Sequence, residues 1–253
     1  MLNKAKSLKN YKLNSLDGEI GKVKDFYFED QSWAIKYLIV NTGNWLIGRQ
    51  VLISPKSIVS INKEEEYITI NLTKRQIENS PVLDSDKPVS KQFHEVFSGY
   101  YESPIYGMGM GCGGEVTMIP YLRTQDDSEK DTKEATDENE WDPHLRSIHT
   151  VSDYNVQALD DTIGHVDDFV IDDVTWEIIY LEIDTKNWLL GRKILISPRW
   201  IERISWNESK VFLNLSCEEI KQSPEYTDES ILDRDYEIRL HKHYNRKAYW
   251  VEH

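Results

Sequence analysis

The chain is predicted to be mainly β: two small antiparallel β-barrels, each with short accessory α-helices, arranged as an internal pseudo-two-fold repeat. Three observations predict it. Residues 8–101 recur without a gap as 151–244 at a constant offset of 143, and 30 of the 66 positions from Leu16 to Pro81 are identical in Leu159 to Pro224. Apolar and polar side chains alternate along short runs bounded by turn residues, the period-two mark of half-buried strands. Finally, a helix-capping signature closes the strand set of each copy at the same place.

In the first copy, Ile20 to Phe28 alternates apolar and polar residues, matched by Ile163, Val166, Phe169 and Ile171 in the second. The next strand reads Ile35 to Val40 and Ile178 to Ile183, followed by the turn-rich strings Asn41-Thr42-Gly43-Asn44 and Asp184-Thr185-Lys186-Asn187. Val51 to Ile53, Ile58 to Ile61 and Tyr67 to Leu72 complete the set, each mirrored in the other half. Short strands at this spacing predict a small barrel or sandwich. Thr73 with Gln76, and Ser216 with Glu219, have the capping-box spacing. Ser80-Pro81 and Ser223-Pro224 end the two helices, because the residue before proline avoids helical backbone. Phe93, Phe97 and Tyr101 recur as Tyr236, Leu240 and Tyr244, an i, i+4, i+8 stripe that predicts a second amphipathic helix docked on its own barrel or on the other.

Three regions follow: a first barrel with its helix over 1–101, a linker over 102–150, and a second barrel with its helix over 151–253. The linker is glycine-rich from Tyr106 to Gly114 and acidic from Gln125 to Asp142, and both stretches are expected to be mobile, since neither can bury enough apolar surface to offset the entropy of ordering.

Charge narrows the function. The formal net charge is −14, which argues against broad binding to nucleic acid. It is uneven: −1 over 16–81, −6 over 159–224 and −9 over 82–158. No apolar run approaches the ~20 residues of a membrane-spanning helix, so no membrane insertion is expected. Met1 to Lys6 is positive without a hydrophobic stretch behind it, unlike a secretory signal, so a cytoplasmic protein is expected. Cys112 and Cys217 occupy unrelated positions and suggest neither a disulfide framework nor a zinc site.

The string Leu-Asp-(x)-(x)-Ile-Gly-(x)-Val-(x)-Asp-Phe, at Leu16 to Phe26 and Leu159 to Phe169, resembles the PRC-barrel family. So does Tyr-Leu-(x)-(x)-(x)-Thr-(x)-Asn-Trp-Leu-(x)-Gly-Arg-(x)-(x)-Leu-Ile-Ser-Pro, at Tyr37 to Pro55 and Tyr180 to Pro198. That family is named for the cytoplasmic barrel of the photosynthetic reaction centre H subunit and includes the C-terminal domain of the ribosome maturation factor RimM. The chain is similar to neither whole protein. It looks most like bacterial stand-alone tandem PRC-barrel proteins. The resemblance implies PRC-like barrels used for protein binding or assembly, and it transfers no catalytic residue.

The expected function is therefore a non-enzymatic protein-interaction or scaffolding module with an unidentified protein partner and no cofactor; a homo-oligomer is compatible with it. The contact candidates are Trp45 and Arg49, duplicated as Trp188 and Arg192, in a connection between strands where a rigid scaffold can present them. The competing reading makes the tryptophans plugs of the barrel ends and pairs each arginine with an acidic strand residue such as Asp25 or Asp168. Trp33 and Trp176 carry the same ambiguity. The alternative function is a metal- or small-ligand-binding stress-related protein using the acidic second barrel and the histidines, with His241 and His243 joined by His149 or His165. Asp167-Asp168 and Asp172-Asp173 could hold a hard cation but lack the EF-hand order. The glycine run lacks a Gly-Lys-Ser/Thr and a following helix start, so it reads as a connector rather than a phosphate cradle.

Overall fold

The computed structural model describes residues 1–47, 49–80, 144–185, 191–227 and 233–251. The glycine-rich and acidic stretches, the Phe93–Tyr101 stripe, Cys112 and Trp188 lie outside the described residues.

The first sheet is built from β2 (Lys12–Ser15), β3 (Gly18–Glu29), β4 (Ile35–Asn41), β5 (Gln50–Ile53), β6 (Ile58–Asn62) and β7 (Tyr67–Ile70), in the order β5-β4-β3-β2-β7-β6. The second is built from β9 (Asn155–Gln157), β10 (Thr162–Asp172), β11 (Ile178–Asp184), β12 (Lys193–Ile196), β13 (Ile201–Ser205) and β14 (Lys210–Leu213), in the equivalent order β12-β11-β10-β9-β14-β13. Each then gains a seventh strand from outside its own repeat: β1 (Leu2–Lys4) pairs with β10, and β8 (Leu145–Ser147) pairs with β3.

Two features correct the expected closed antiparallel barrel. The sheets are mixed, because β2 pairs with β7 and β9 with β14 in parallel. The hydrogen-bonded path is also open, ending at β5 and β6 in one sheet and at β12 and β13 in the other. At those ends the chain turns through the 3-10 segments Pro55–Ser57 and Pro198–Trp200. Proline has no N–H to donate, so a ladder cannot run through either corner.

The long strands β3 and β10 are bent by bulges at matched places, between Val23 and Asp25 and between Val166 and Asp168. Gly21 and Gly164 sit at φ +151° and +153°, where an added Cβ would lie 2.1 and 2.0 Å from the carbonyl oxygens of Asn41 and Asp184. Only glycine admits that approach of strand to turn. The inward faces are apolar throughout: Ile20, Val23, Phe26 and Phe28 on β3, and Ile163, Val166, Phe169 and Ile171 on β10, are buried.

Both capping boxes form. Thr73 and Gln76 cap α2 (Lys74–Glu78), and Ser216 and Glu219 cap α4 (Cys217–Lys221). Asp17 and Asp160, from the Leu-Asp string, accept the first helical N–H groups, of Lys74 and Cys217, at 2.7 and 2.8 Å. The aromatic stripe of the second copy is the longest described helix, α5 (Arg234–His243), packed on its own repeat through Tyr226–Tyr236, Tyr180–His241 and Trp200–Tyr244 ring contacts.

The repeats interlock by reciprocal contacts between positions 143 apart. Each exchanged strand runs into a one-turn helix, α1 (Ala5–Leu8) or α3 (Ile148–Val151). Asp168 of β10 accepts the backbone N–H of Lys6, and Asp25 of β3 accepts that of His149, at 3.1 and 3.2 Å. Asp173 accepts from Asn3 and Asp30 from Arg146. The hairpin tips meet as well: Ile35 donates to the Trp176 carbonyl and Ile178 to the Trp33 carbonyl, at 2.7 and 2.8 Å. Trp33 and Trp176 hold φ +59° and +58° there, so both belong to this junction.

One ionic cluster has no first-copy equivalent. Fully buried Glu182 lies 2.6 Å from Lys4 of the exchanged strand, 2.6 Å from Lys193, and accepts the Tyr226 hydroxyl at 2.8 Å. Ile39, Ser147 and Gln50 stand where Glu182, Lys4 and Lys193 would recur.

Candidate functional site

Beyond β4, Thr42, Trp45, Leu46 and Arg49 are joined by hydrogen bonds. Thr42 is buried, with its hydroxyl 2.8 Å from the Leu46 carbonyl and 2.7 Å from that of Arg49. Its N–H donates to Arg49 O, while Trp45 N–H donates back to Thr42 O. Arg49 then fixes the turn to the scaffold. Its guanidinium donates to the Glu78 carbonyl at 2.9 Å and to that of Ser80, both at the C-terminal end of α2. Arg192 does the same to Lys221 and Ser223 beyond α4. Helix C-termini leave carbonyls unpaired and carry partial negative charge, so a two-pronged cation is well matched there. The sequence left open whether these arginines contact a partner or pair with a strand carboxylate. The structure gives them helix-end carbonyls instead, and Asp25 and Asp168 hold the exchanged helices.

With Thr42 and Arg49 tied down, half-buried Trp45 lines the rim of a cleft of about 570 Å³. Its floor is the start of β3, where Ile20 and Val23 are buried, and its walls carry Lys9, Asn10, Glu19, Lys22, Lys24 and Asn44. The Lys74 ammonium stands 5.7 Å from the Trp45 ring centroid, within cation–π range. Glu19 is paired with Lys12 at 3.3 Å. Exposed Lys22 and Lys24 have no ion-pair partner among the described residues.

A second groove, of about 740 Å³, is lined by Met1 and Leu2 together with Arg199, Arg234, Glu237 and Tyr249 of the C-terminal repeat. Behind it Tyr180 lies 3.0 Å from Glu237 and 2.9 Å from His241 Nε2. Tyr249 donates to the same Glu237 oxygen, and Arg234 pairs with the other at 2.9 Å. Burial raises the Glu237 carboxyl and the Tyr180 phenol above their ordinary values and lowers the His241 imidazole. The polar atoms are engaged with one another, which suits a network that fixes α5 rather than one that works on a substrate.

Of the remaining candidate chemistry, His165 has its Nδ1 buried and unpartnered and its Nε2 3.9 Å from Asp153. Asp167 is held by Lys6 and Lys193, which bring its carboxyl down to about 2 against burial. His243 lies 2.8 Å from the Glu219 carbonyl. Among the described residues no three His, Cys, Asp or Glu side chains are grouped to hold a metal ion. Burial, with Asp160 beside it, pushes the Cys217 thiol up to about 11, so it is a poor nucleophile.

Sequence reasoning missed the lysine cluster around Trp45 and the Tyr180–Glu237–His241 network. A comparison at the 143 offset shows that the lysines, Glu237 and His241 change between the copies, but the fold is needed to show that they come together.

Residues 4–77 match the PRC-barrel domain family, a span that runs from the end of β1 through strands β2 to β7 and most of α2. No curated protein matches the chain by sequence. No helix among the described residues is long and apolar enough to cross a membrane.

Proposed function

We propose that the protein is a non-enzymatic protein-interaction module built from two PRC-type domains, related as an internal pseudo-two-fold pair, and that the first domain carries the contact site at Trp45. The second domain, residues 145–251, enters this reading through its equivalent strand order and the reciprocal contacts. A cytoplasmic setting belongs to the same proposal.

The observation that carries it is the half-buried Trp45 lining a cleft while its neighbours Thr42 and Arg49 are locked to the scaffold. A rigidly presented tryptophan loses little entropy on binding, and tryptophan is prominent among interface hot spots. The test is affinity capture with the full chain beside Trp45→Ala, each checked by thermal melt. A partner held by the wild type and lost by a variant of unchanged Tm supports the proposal. Equal capture by both contradicts it.

A further inference from the structure

The residues that line the cleft beside Trp45 differ in charge from those 143 positions further along the sequence. Lys9, Lys22 and Lys24 line it and Lys74 stands beside its Trp45, and the residues 143 further on are Ser152, His165, Asp167 and Cys217. A chain of net charge −14 thus concentrates four lysines at one concave site in the first copy and keeps none of them in the second. The carboxylate within the cleft, Glu19, is neutralised by Lys12 outside it, and Lys9 stands 3.9 Å from Asp25 at the back. Lys22 and Lys24, on the exposed side of β3, project the remaining charge.

We infer that the cleft binds an acidic, extended peptide segment of a partner protein, an apolar side chain of that segment lying against Trp45 while its Asp and Glu residues meet Lys22, Lys24 and Lys74. The inference rests on the reading of Trp45 as a contact residue. Charge complementarity selects the class of occupant: a field of one sign inside a cleft concentrates and orients ligands of the other. A short acidic peptide engages only that local field. Nucleic acid extends beyond the cleft over a chain whose net charge is −14, which opposes its phosphates. The amides of Asn10 and Asn44 at the wall supply donors and acceptors for a peptide backbone.

The experiment is a fluorescence-anisotropy titration of the full chain with three labelled probes. They are a peptide of about twelve residues, Asp/Glu-rich with one central leucine; the same peptide with Asn and Gln for the acids; and a single-stranded DNA of similar length. Expected are binding of the acidic peptide alone, weakening between about 50 and about 300 mM salt, and a loss of about tenfold in affinity in both Lys22→Glu/Lys24→Glu and Trp45→Ala. Lys242→Glu/Lys247→Glu has the same net charge as the first double variant and alters exposed lysines on and just beyond α5, so it should bind like the wild type. Equal weakening by the two double variants, preference for DNA, or no binding of the acidic peptide overturns the inference. If the neutral peptide binds as well and only Trp45→Ala releases it, the acidic partner is refuted while the contact role of Trp45 stands.

Discussion

Replacing Asp168 by Asn should change how stability depends on pH, and the structure fixes the sign. Asp168 is 2% exposed on β10, where it caps α1 by accepting the N–H of Lys6 at 3.1 Å and also accepts that of Phe169 at 2.8 Å. Burial raises its carboxyl from 3.8 to about 6, against those two hydrogen bonds and with the Glu182 carboxylate adding to the rise. A carboxyl raised on folding binds more protons in the native state than in the unfolded one between pH ~4 and ~6. Its favourable contribution is therefore complete below pH ~4 and lost as pH rises through ~6. A rise of about two units corresponds to about 3 kcal/mol. Asn keeps the Oδ1 acceptor and cannot ionise. Urea unfolding of wild type and Asp168→Asn, followed by circular dichroism from pH 4 to 7.5, should show the difference moving in the variant's favour by about 2–3 kcal/mol and levelling off above pH ~7. A difference independent of pH would refute the reasoning.

Other perturbations follow from the same contacts. Arg49→Ala and Arg192→Ala should each cost about 1–2 kcal/mol in chemical denaturation, because each loses two charge-assisted hydrogen bonds to helix-end carbonyls, one of them exposed enough to be hydrated. Lysine, without the two-pronged donor, should restore little of it. Gly21→Ala should destabilise by several kcal/mol, read as a large fall in Tm, since its Cβ would meet the Asn41 carbonyl at 2.1 Å. Glu182→Ile should cost about 3 kcal/mol by leaving Lys4 and Lys193 without their buried partner. Adding Lys4→Ser and Lys193→Gln, the first-copy residues, should recover much of that loss in the same denaturation assay.

Much of the fold was legible because it depends on local pattern. The alternation from Ile20 to Phe28 and the Thr73 and Ser216 capping boxes report interactions a few residues apart, and the structure has them where they were expected. The strand exchange was not legible. Leu2–Lys4 is too short to show a period, and its register with β10 joins residues about 170 positions apart. The parallel pairing of β2 with β7 is likewise set by long-range packing. At the candidate site, the sequence marked Trp45 and Arg49 together as contact candidates; both are half-buried, but the structure leaves the Trp45 ring lining the cleft and fastens Arg49 to carbonyls that any sequence possesses. The lysines of the cleft are scattered over positions 9, 22, 24 and 74. Only the bulge of β3 and the capped start of α2 gather them, so the sequence showed a charge difference between the copies without showing where it falls.

The most direct test of the contact role is site-specific photo-cross-linking. With p-benzoylphenylalanine in place of Trp45, the account predicts a discrete cross-linked adduct with a protein partner. With the same group in place of Val59, an exposed residue on β6, it predicts none. Equal cross-linking from both positions, or an adduct from position 59 alone, would contradict it.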